Sequence, residues 1–112
     1  MNLSTRVLGD LQVILVNAAR IDASVAIRFK DRMRELTATA PARVVLDMHK
    51  VDFVDSSGLG AIVAAMKQLD SQQRLDLSGL TPGVDKVFRL TRMDSIFAIH
   101  SDLDAALASS TL

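Results

Sequence analysis

The chain of 112 residues contains no cysteine, no tyrosine and no tryptophan. The absence of cysteine excludes disulfide bonds and metal sites with thiolate ligands. Thirteen lysine and arginine residues balance thirteen aspartate and glutamate residues, so no excess of positive charge is available to attract a nucleic-acid backbone. Without that excess, and without tyrosine or tryptophan, the sequence gives no support to nucleic-acid binding.

Long apolar runs are also missing. No uninterrupted apolar run approaches the roughly 18–20 residues that a membrane-spanning helix needs, and residues 1–6 lack the charged-then-apolar order of an export signal. No repeat, low-complexity tract or linker rich in proline, glycine and serine interrupts the chain. Since 49% of the residues are apolar, as in a globular protein, we expect a single domain, 1–112, that is cytoplasmic and not inserted in a membrane.

Candidate catalytic residues are few. The two histidines, His49 and His100, have neither a metal-ligand spacing nor a nearby nucleophile motif. We expect His49 at a solvated strand end and His100 at the entry to a helix. The Asp-Ser-Ser-Gly-Leu-Gly run at 55–60 lacks the lysine that follows the second glycine of a P-loop, and it does not match the Gly-x-Gly-x-x-Gly dinucleotide motif. The sequence therefore predicts no catalytic residue, no metal site and no cofactor, and so a protein that is not an enzyme.

The periodicity of apolar residues predicts an α/β fold. The predicted strands are 3–8, 11–16, 43–48, 74–79 and 96–99. The turn signal Gly9-Asp10 predicts a hairpin between the first two strands, and the continuous apolarity of 43–48 indicates a strand covered on both faces. Helical patterns alternate with the later strands. This order is typical of a layered α/β domain with a small, mixed, mainly parallel sheet and about four α-helices.

Polar residues and prolines mark the expected helix ends. Asp22 is expected to cap the first helix, and the segment 37–41, with its proline, is expected to end it. Pro82 suits the first position of the third helix. Ser101 and Asp104 resemble a capping pair for the last helix.

The stretch 51–63 joins a strand pattern to a helix pattern. An apolar run breaks off at Asp55, and after Ser56 and Ser57 the apolar residues recur three or four positions apart, as one face of a helix requires. A helix start carries free backbone N–H groups and a partial positive charge. A residue there can cap the helix or carry a phosphate. Capping is the simpler interpretation, although three candidates exceed what one cap needs.

The run at 55–60 resembles the phosphorylation-site signature of the STAS-domain anti-sigma factor antagonists of bacterial partner-switching systems. The similarity extends to the chain's length and element order, and it implies the STAS fold. It also implies that Ser57, the second serine, accepts phosphate from an anti-sigma factor with serine-kinase activity, and that a serine phosphatase removes it. The unphosphorylated form would bind the anti-sigma factor and release its target, whereas phosphorylation would block binding.

The resemblance further implies a partner-binding surface around Ser57. The expected contact residues are Asp22, Asp55, Ser56, Gly58, Leu59, Gly60 and Thr81. Asp55 either caps the helix or positions the serine towards the kinase, and Ser56 is the more structural hydroxyl. Gly58 and Gly60 keep the first turn slim for a partner's backbone or pack against a neighbouring strand, and the two roles are not exclusive. The alternative function is that of a STAS accessory subunit of a membrane transporter complex.

Overall fold

The computed structural model describes residues 1–39 and 41–109 and shows an α/β fold. The strands are β1 Leu3–Leu8, β2 Leu11–Val16, β3 Arg20–Ile21, β4 Arg43–Asp47, β5 Phe53–Val54, β6 Arg74–Ser78 and β7 Ile99–His100. The helices in the described ranges are α1 Ala26–Thr37, α2 Ser56–Lys67, α3 Pro82–Leu90 and α4 Leu103–Ala108, with a 3₁₀ turn at Met93–Ser95. The prediction of a mainly parallel sheet with about four helices is confirmed.

The main sheet has five strands in the order β1-β2-β4-β6-β7. The β1–β2 pair is the predicted antiparallel hairpin, and its turn places Gly9 at φ 62°, a conformation that glycine adopts without steric cost. The remaining neighbours in this sheet are parallel. The predicted last strand at 96–99 is shifted to β7, because Ile96 and Phe97 donate their backbone N–H groups to Met93 of the preceding 3₁₀ turn.

Two apolar clusters cover the two faces of the main sheet. The larger cluster packs side chains such as Phe29 of α1, Ile62 of α2 and Phe88 of α3 against one face. The smaller cluster joins Ala106 of α4 to Val45 on the opposite face. Because successive side chains of β4 point to opposite faces, both clusters meet on this strand, which confirms that 43–48 is covered on both sides.

The first helix begins later than the sequence predicted, and Asp22 is not its cap. Asp22 Oδ1 accepts hydrogen bonds from the backbone N of Ser24 at 3.1 Å and from its Oγ at 2.6 Å. The carbonyl of Asp22 accepts a bond from Val25 N, so a turn occupies 22–25 before α1 starts at Ala26. The helix ends at Thr37, as expected, although Ala40 of the predicted terminating segment lies outside the described residues.

The predicted cap of the last helix is also wrong by one residue. Asp102, whose side chain accepts a bond from Ala105 N at 2.8 Å, caps α4 in place of Ser101. His100 lies in β7, and not at a helix entry. Thr81 and Pro82 do begin α3 as predicted, with Thr81 at the cap position and Pro82 at the first helical position.

A separate pair of short parallel strands positions the serine run. Ile21 of β3 pairs with Val54 of β5. Asp22 and Asp55 follow these two residues directly, so the loop 22–25 and the start of α2 leave the same end of the pair. A strand pattern ending before Asp55 was predicted from the sequence, but its pairing with residues 20–21 was not.

Candidate phosphorylation and docking site

Asp55 is the residue that fixes the start of α2. Its Oδ1 accepts a hydrogen bond from Gly58 N at 2.8 Å, which is the N-cap bond of the helix. Its Oδ2 accepts a second bond, at 3.1 Å, from Ala23 N in the loop before α1. One carboxylate therefore caps α2 and ties the neighbouring loop to it, so both of its oxygens have backbone donors. Of its two expected roles, the structure shows capping.

Since Asp55 supplies the cap, the two serines after it are left without a capping role. Ser56 and Ser57 are both exposed, and neither hydroxyl forms a hydrogen bond with any residue that the structure describes. The first helical bond of α2 runs from Leu59 N to the carbonyl of Asp55. The backbone N–H groups of both serines precede that bond and lack acceptors within the described ranges. Ser57 thus presents a free hydroxyl beside free backbone donors.

The two glycines of the run differ in their surroundings. Gly58 is buried, and a Cβ at this position would overlap the backbone carbonyl of Ile21. Its lack of a side chain allows α2 to pack directly on β3. Of the two roles expected for Gly58, the structure shows packing against a neighbouring strand. Gly60 is exposed, and a Cβ there would meet no atom within 4 Å. Gly60 therefore keeps the surface beside Ser57 low and leaves the packing of α2 unaffected.

An open groove of about 170 Å³ runs between α1 and α2 beside Ser57. It is lined by Ala26, Ile27, Lys30, Ser57, Gly60, Ala61 and Ala64. Ile27, which is 70% exposed, places an apolar side chain on the rim of this groove. Neither Ile27 nor Lys30 was predicted from the sequence as a site residue. An isoleucine outside the apolar stripe of α1 was the available signal, but the position of α1 relative to α2 was needed to connect it with Ser57.

Charged and aromatic side chains lie on the neighbouring strand pair. The guanidinium of Arg20 stacks on the ring of Phe53 at 4.3 Å from its centroid, and Phe53 is 40% exposed. Arg20 Nε also donates to Asp22 Oδ2 at 3.2 Å. Hydrogen bonds from the Ser24 hydroxyl and from Arg20 lower the pKa of Asp22 below its usual value. Asp22 therefore carries a negative charge at neutral pH, already balanced by a nearby cation.

The remaining expected contact residues have mainly structural surroundings. Thr81 Oγ1 donates to the carbonyl of Val51 at 2.8 Å, which ties the start of α3 to the loop before β5. Leu59 is half-buried and packs against the main core. The structure thus brings Asp22, Asp55 and the two serines together through the Asp55–Ala23 bond, whereas the side chain of Thr81 forms no hydrogen bond with these residues.

The histidines lie outside the serine site. His49 is exposed, with its Nδ1 at 2.8 Å from Asp47 Oδ1, in agreement with a solvated strand end. His100 Nε2 lies 3.0 Å from Oδ2 of the buried Asp76, which also binds Arg43 Nη2 at 2.8 Å. Burial alone would raise the pKa of Asp76, but the hydrogen bonds from His100 and Arg43 and the positive charges around it lower that pKa overall.

Two further features are absent from residues 1–39 and 41–109. No group of three or more histidine, aspartate or glutamate side chains in these ranges is arranged to hold a metal ion. No helix within them combines the length and the apolarity that crossing a membrane requires.

Comparison with known proteins connects this arrangement to a family. Residues 2–106 match the family model of the STAS domain. A candidate anti-sigma factor antagonist from Bordetella bronchiseptica, BtrV, is 38% identical over 68 residues, which are 60% of this chain and 59% of that protein. The anti-sigma-B factor antagonist of Listeria monocytogenes is 31% identical over 85 residues, which are 75% of each chain.

Solved structures share the fold at lower identity. An anti-sigma factor antagonist from Mycobacterium paratuberculosis has a TM-score of 0.86 at 23% identity, covering 96% of this chain and 92% of that one. The phosphorylated form of Bacillus SpoIIAA has a TM-score of 0.68 at 17% identity, covering 96% and 98%. A sulfate transporter family protein from Wolinella succinogenes has a TM-score of 0.76 at 20% identity, covering 93% and 87%. These three likenesses concern the fold alone.

The family model covers nearly the whole chain, and the Listeria relative aligns with three quarters of it. This chain therefore belongs to the STAS domain family, among the anti-sigma factor antagonists.

Proposed function

We propose that the unphosphorylated protein binds an anti-sigma factor with serine-kinase activity and thereby releases the target that this factor holds. Phosphorylation of Ser57 then prevents binding, and a serine phosphatase restores it. The protein works in the cytoplasm and has no catalytic activity of its own. In the transfer step, Ser57 Oγ forms a bond to the γ-phosphorus of ATP held by the kinase, and the bond from that phosphorus to the bridging oxygen of ADP breaks. The hydroxyl proton passes to a base of the kinase, and ADP leaves.

The observation that carries this proposal is the free, exposed hydroxyl of Ser57 at the start of α2. Asp55 already caps the helix, so modification of Ser57 breaks no hydrogen bond with a described residue. The unbonded N–H groups of Ser56 and Ser57 and the positive end of the helix favour a negative group at this place. The fold can therefore carry a phosphate without rearrangement.

Charge and size explain how the phosphate prevents docking. A phosphate on serine adds about 1.5–2 negative charges and three strong acceptor oxygens. A partner packed against the groove would have to bury this charge or expose its own carboxylates to it, and both cost binding energy. The exposed Ile27 and the small residues of α2 on the same groove support partner docking here. Gly58, which is buried, contributes through the packing of α2 and not through contact area.

The test is binding to the cognate anti-sigma factor kinase by isothermal titration calorimetry. Wild type and Ser57→Ala should bind alike, whereas Ser57→Glu should bind about tenfold more weakly or worse, because it places a negative charge inside the interface. Gln72→Glu is the matched control, since it adds the same charge at an exposed position beyond the far end of α2 and outside the groove, and it should bind like wild type. Mass spectrometry after incubation with the kinase and ATP should locate the phosphate on Ser57.

Two results would contradict the proposal: equal affinity of Ser57→Glu and wild type, or transfer of phosphate to Ser56. The transporter alternative, supported by the shared fold of the Wolinella protein, predicts a different partner. Neighbouring genes for a permease, and capture of a transporter subunit in place of a kinase, would favour that alternative.

A further inference from the structure

We infer that Lys30 binds the phosphate on Ser57 across the groove between α1 and α2. This inference rests on the phosphorylation of Ser57 proposed above. Lys30 would contact the phosphate that stays attached to Ser57, so a residue of α1 would take part in the phosphorylated state.

The groove places the lysine and the serine on opposite walls. Lys30 lines it from α1, one helical turn after Ala26, and Ser57 lines it from the first turn of α2. The wall after Ser57 consists of Gly60, Ala61 and Ala64, which are too small to fill the space between the helices. A water molecule takes about 30 Å³ of liquid volume, so the groove of about 170 Å³ has room for the four heavy atoms of a phosphoryl group.

Lys30 is the one charged residue among the described residues that line the groove. Lys30 forms neither a hydrogen bond nor an ion pair with the residues that the structure describes. Arg20 is paired with Asp22, and Arg28 Nη2 donates to the carbonyl of Ser24 at 3.2 Å. Because Lys30 is half-buried, its aliphatic stem lies along the groove and its ammonium group can extend towards the open end.

The carboxylates near Ser57 do not compete for this ammonium group. Both oxygens of Asp55 accept bonds from backbone N–H groups, and Asp22 is paired as described above. On α1, Asp31 Oδ1 lies 3.5 Å from Arg34 Nη1. The carboxylates of Asp22, Asp55 and Asp31 thus already have partners, whereas a phosphate on Ser57 would be an unpaired anion on the groove wall opposite Lys30.

This pairing gives phosphorylation a second way to prevent docking. When the ammonium group of Lys30 meets the phosphate, the two side chains bridge the groove above Ala61. A partner side chain that occupies the groove in the unphosphorylated state is then excluded by shape as well as by charge. The docking protein could then no longer pack against the exposed Ile27 on the adjoining wall.

The test measures the second pKa of the phosphoserine by ³¹P NMR titration in buffer of ~0.1 M ionic strength. Phosphoserine is placed at position 57 during translation by stop-codon suppression, so no kinase is needed. The second pKa of phosphoserine is about 6, and an adjacent ammonium group lowers it. Relative to wild type, Lys30→Gln should raise this pKa by roughly 0.2–0.7, and Lys30→Arg should return it to the wild-type value.

Lys67→Gln is the matched control. Lys67 is an exposed lysine on α2, ten residues after Ser57, a distance of about 15 Å along the helix. That distance exceeds the Debye length of about 10 Å at this ionic strength, so the control should leave the pKa unchanged. Thermal unfolding of each unphosphorylated variant checks that the fold is retained.

Two outcomes would overturn the inference. If Lys30→Gln and wild type titrate together, Lys30 does not bind the phosphate. If Lys67→Gln raises the pKa as much as Lys30→Gln, the effect belongs to net charge and not to the groove. Because the phosphoserine is installed without a kinase, this result is independent of whether the anti-sigma factor binds, and the two proposals can fail separately.

Discussion

Removal of the Asp55 side chain should destabilise the fold, whereas removal of the neighbouring serine hydroxyls should not. Asp55→Ala deletes the cap bond to Gly58 N and the bond to Ala23 N. Loss of an N-cap costs about 0.5–2 kcal/mol, and loss of one further hydrogen bond costs about 0.5–1.5 kcal/mol. Since Ala23 is exposed, water replaces part of the second bond. We therefore expect the free energy of unfolding to fall by about 1–3 kcal/mol.

The assay is thermal and urea unfolding at neutral pH, followed by circular dichroism. An unfolding entropy of about 2.1 cal/mol/K per residue over 112 residues converts each kcal/mol into a change in Tm of about 4 °C. Asp55→Ala should therefore lower the Tm by roughly 4–12 °C. In urea the midpoint should fall while the slope stays constant, because the folded and unfolded surfaces are little changed.

Three variants separate capping from other effects of the substitution. Asp55→Asn keeps an oxygen for the cap but places an amide NH₂ where the second oxygen stood, so its loss should be smaller than that of Asp55→Ala. Ser56→Ala and Ser57→Ala should stay within about 0.5 kcal/mol of wild type. A loss in Ser57→Ala equal to that in Asp55→Ala would refute the conclusion that the Ser57 hydroxyl is free, and an unchanged Asp55→Ala would refute the capping role.

Two further predictions concern packing and charge. Gly58→Ala should be strongly destabilising because its Cβ meets the carbonyl of Ile21, whereas Gly60→Ala should stabilise α2 by up to about 1 kcal/mol; equal urea midpoints for the two variants would contradict this. Asp76 has a lowered pKa in the folded state, so its stabilising contribution is present above the unfolded pKa of about 3.9 and is lost as the pH falls through the folded value. Asp76→Asn should lower the free energy of unfolding by about 3–5 kcal/mol, because it leaves Arg43 without its carboxylate. The variant should also show a flatter pH dependence of this free energy below about pH 4. Parallel pH profiles in wild type and variant would show that Asp76 is not responsible for the dependence.

The elements with strong periodicity were predictable from the sequence. The hairpin at Gly9, the buried strand β4 and the helix after Asp55 each follow from a local pattern that the structure confirms. The two-residue strands β3 and β5 were not predictable, because two residues are too few to show a period. Their pairing depends on a contact between parts of the chain that are 33 residues apart.

The errors at helix starts have a common physical cause. Ser24 follows Asp22 by two residues, and its backbone N–H and hydroxyl both donate to the Asp22 carboxylate. These bonds form a local turn that competes with helix capping. At α4, Ser101 and Asp102 are adjacent and both are good caps, so composition cannot choose between them. Asp102 is the cap because it lies one position before the helix and has an extended backbone.

If Ser57 is phosphorylated as proposed, its free hydroxyl has a consequence for the stability of the phosphorylated protein. If Ser57 were the cap of α2, phosphorylation would remove a bond worth about 0.5–2 kcal/mol from a fold whose stability is of the order of 5–15 kcal/mol. Part of the signal would then appear as loss of folded protein. Because Asp55 holds the helix start, the phosphate proposed for Ser57 would act at the surface alone. The phosphorylated protein would then stay folded and ready for the proposed phosphatase, as a reversible switch requires.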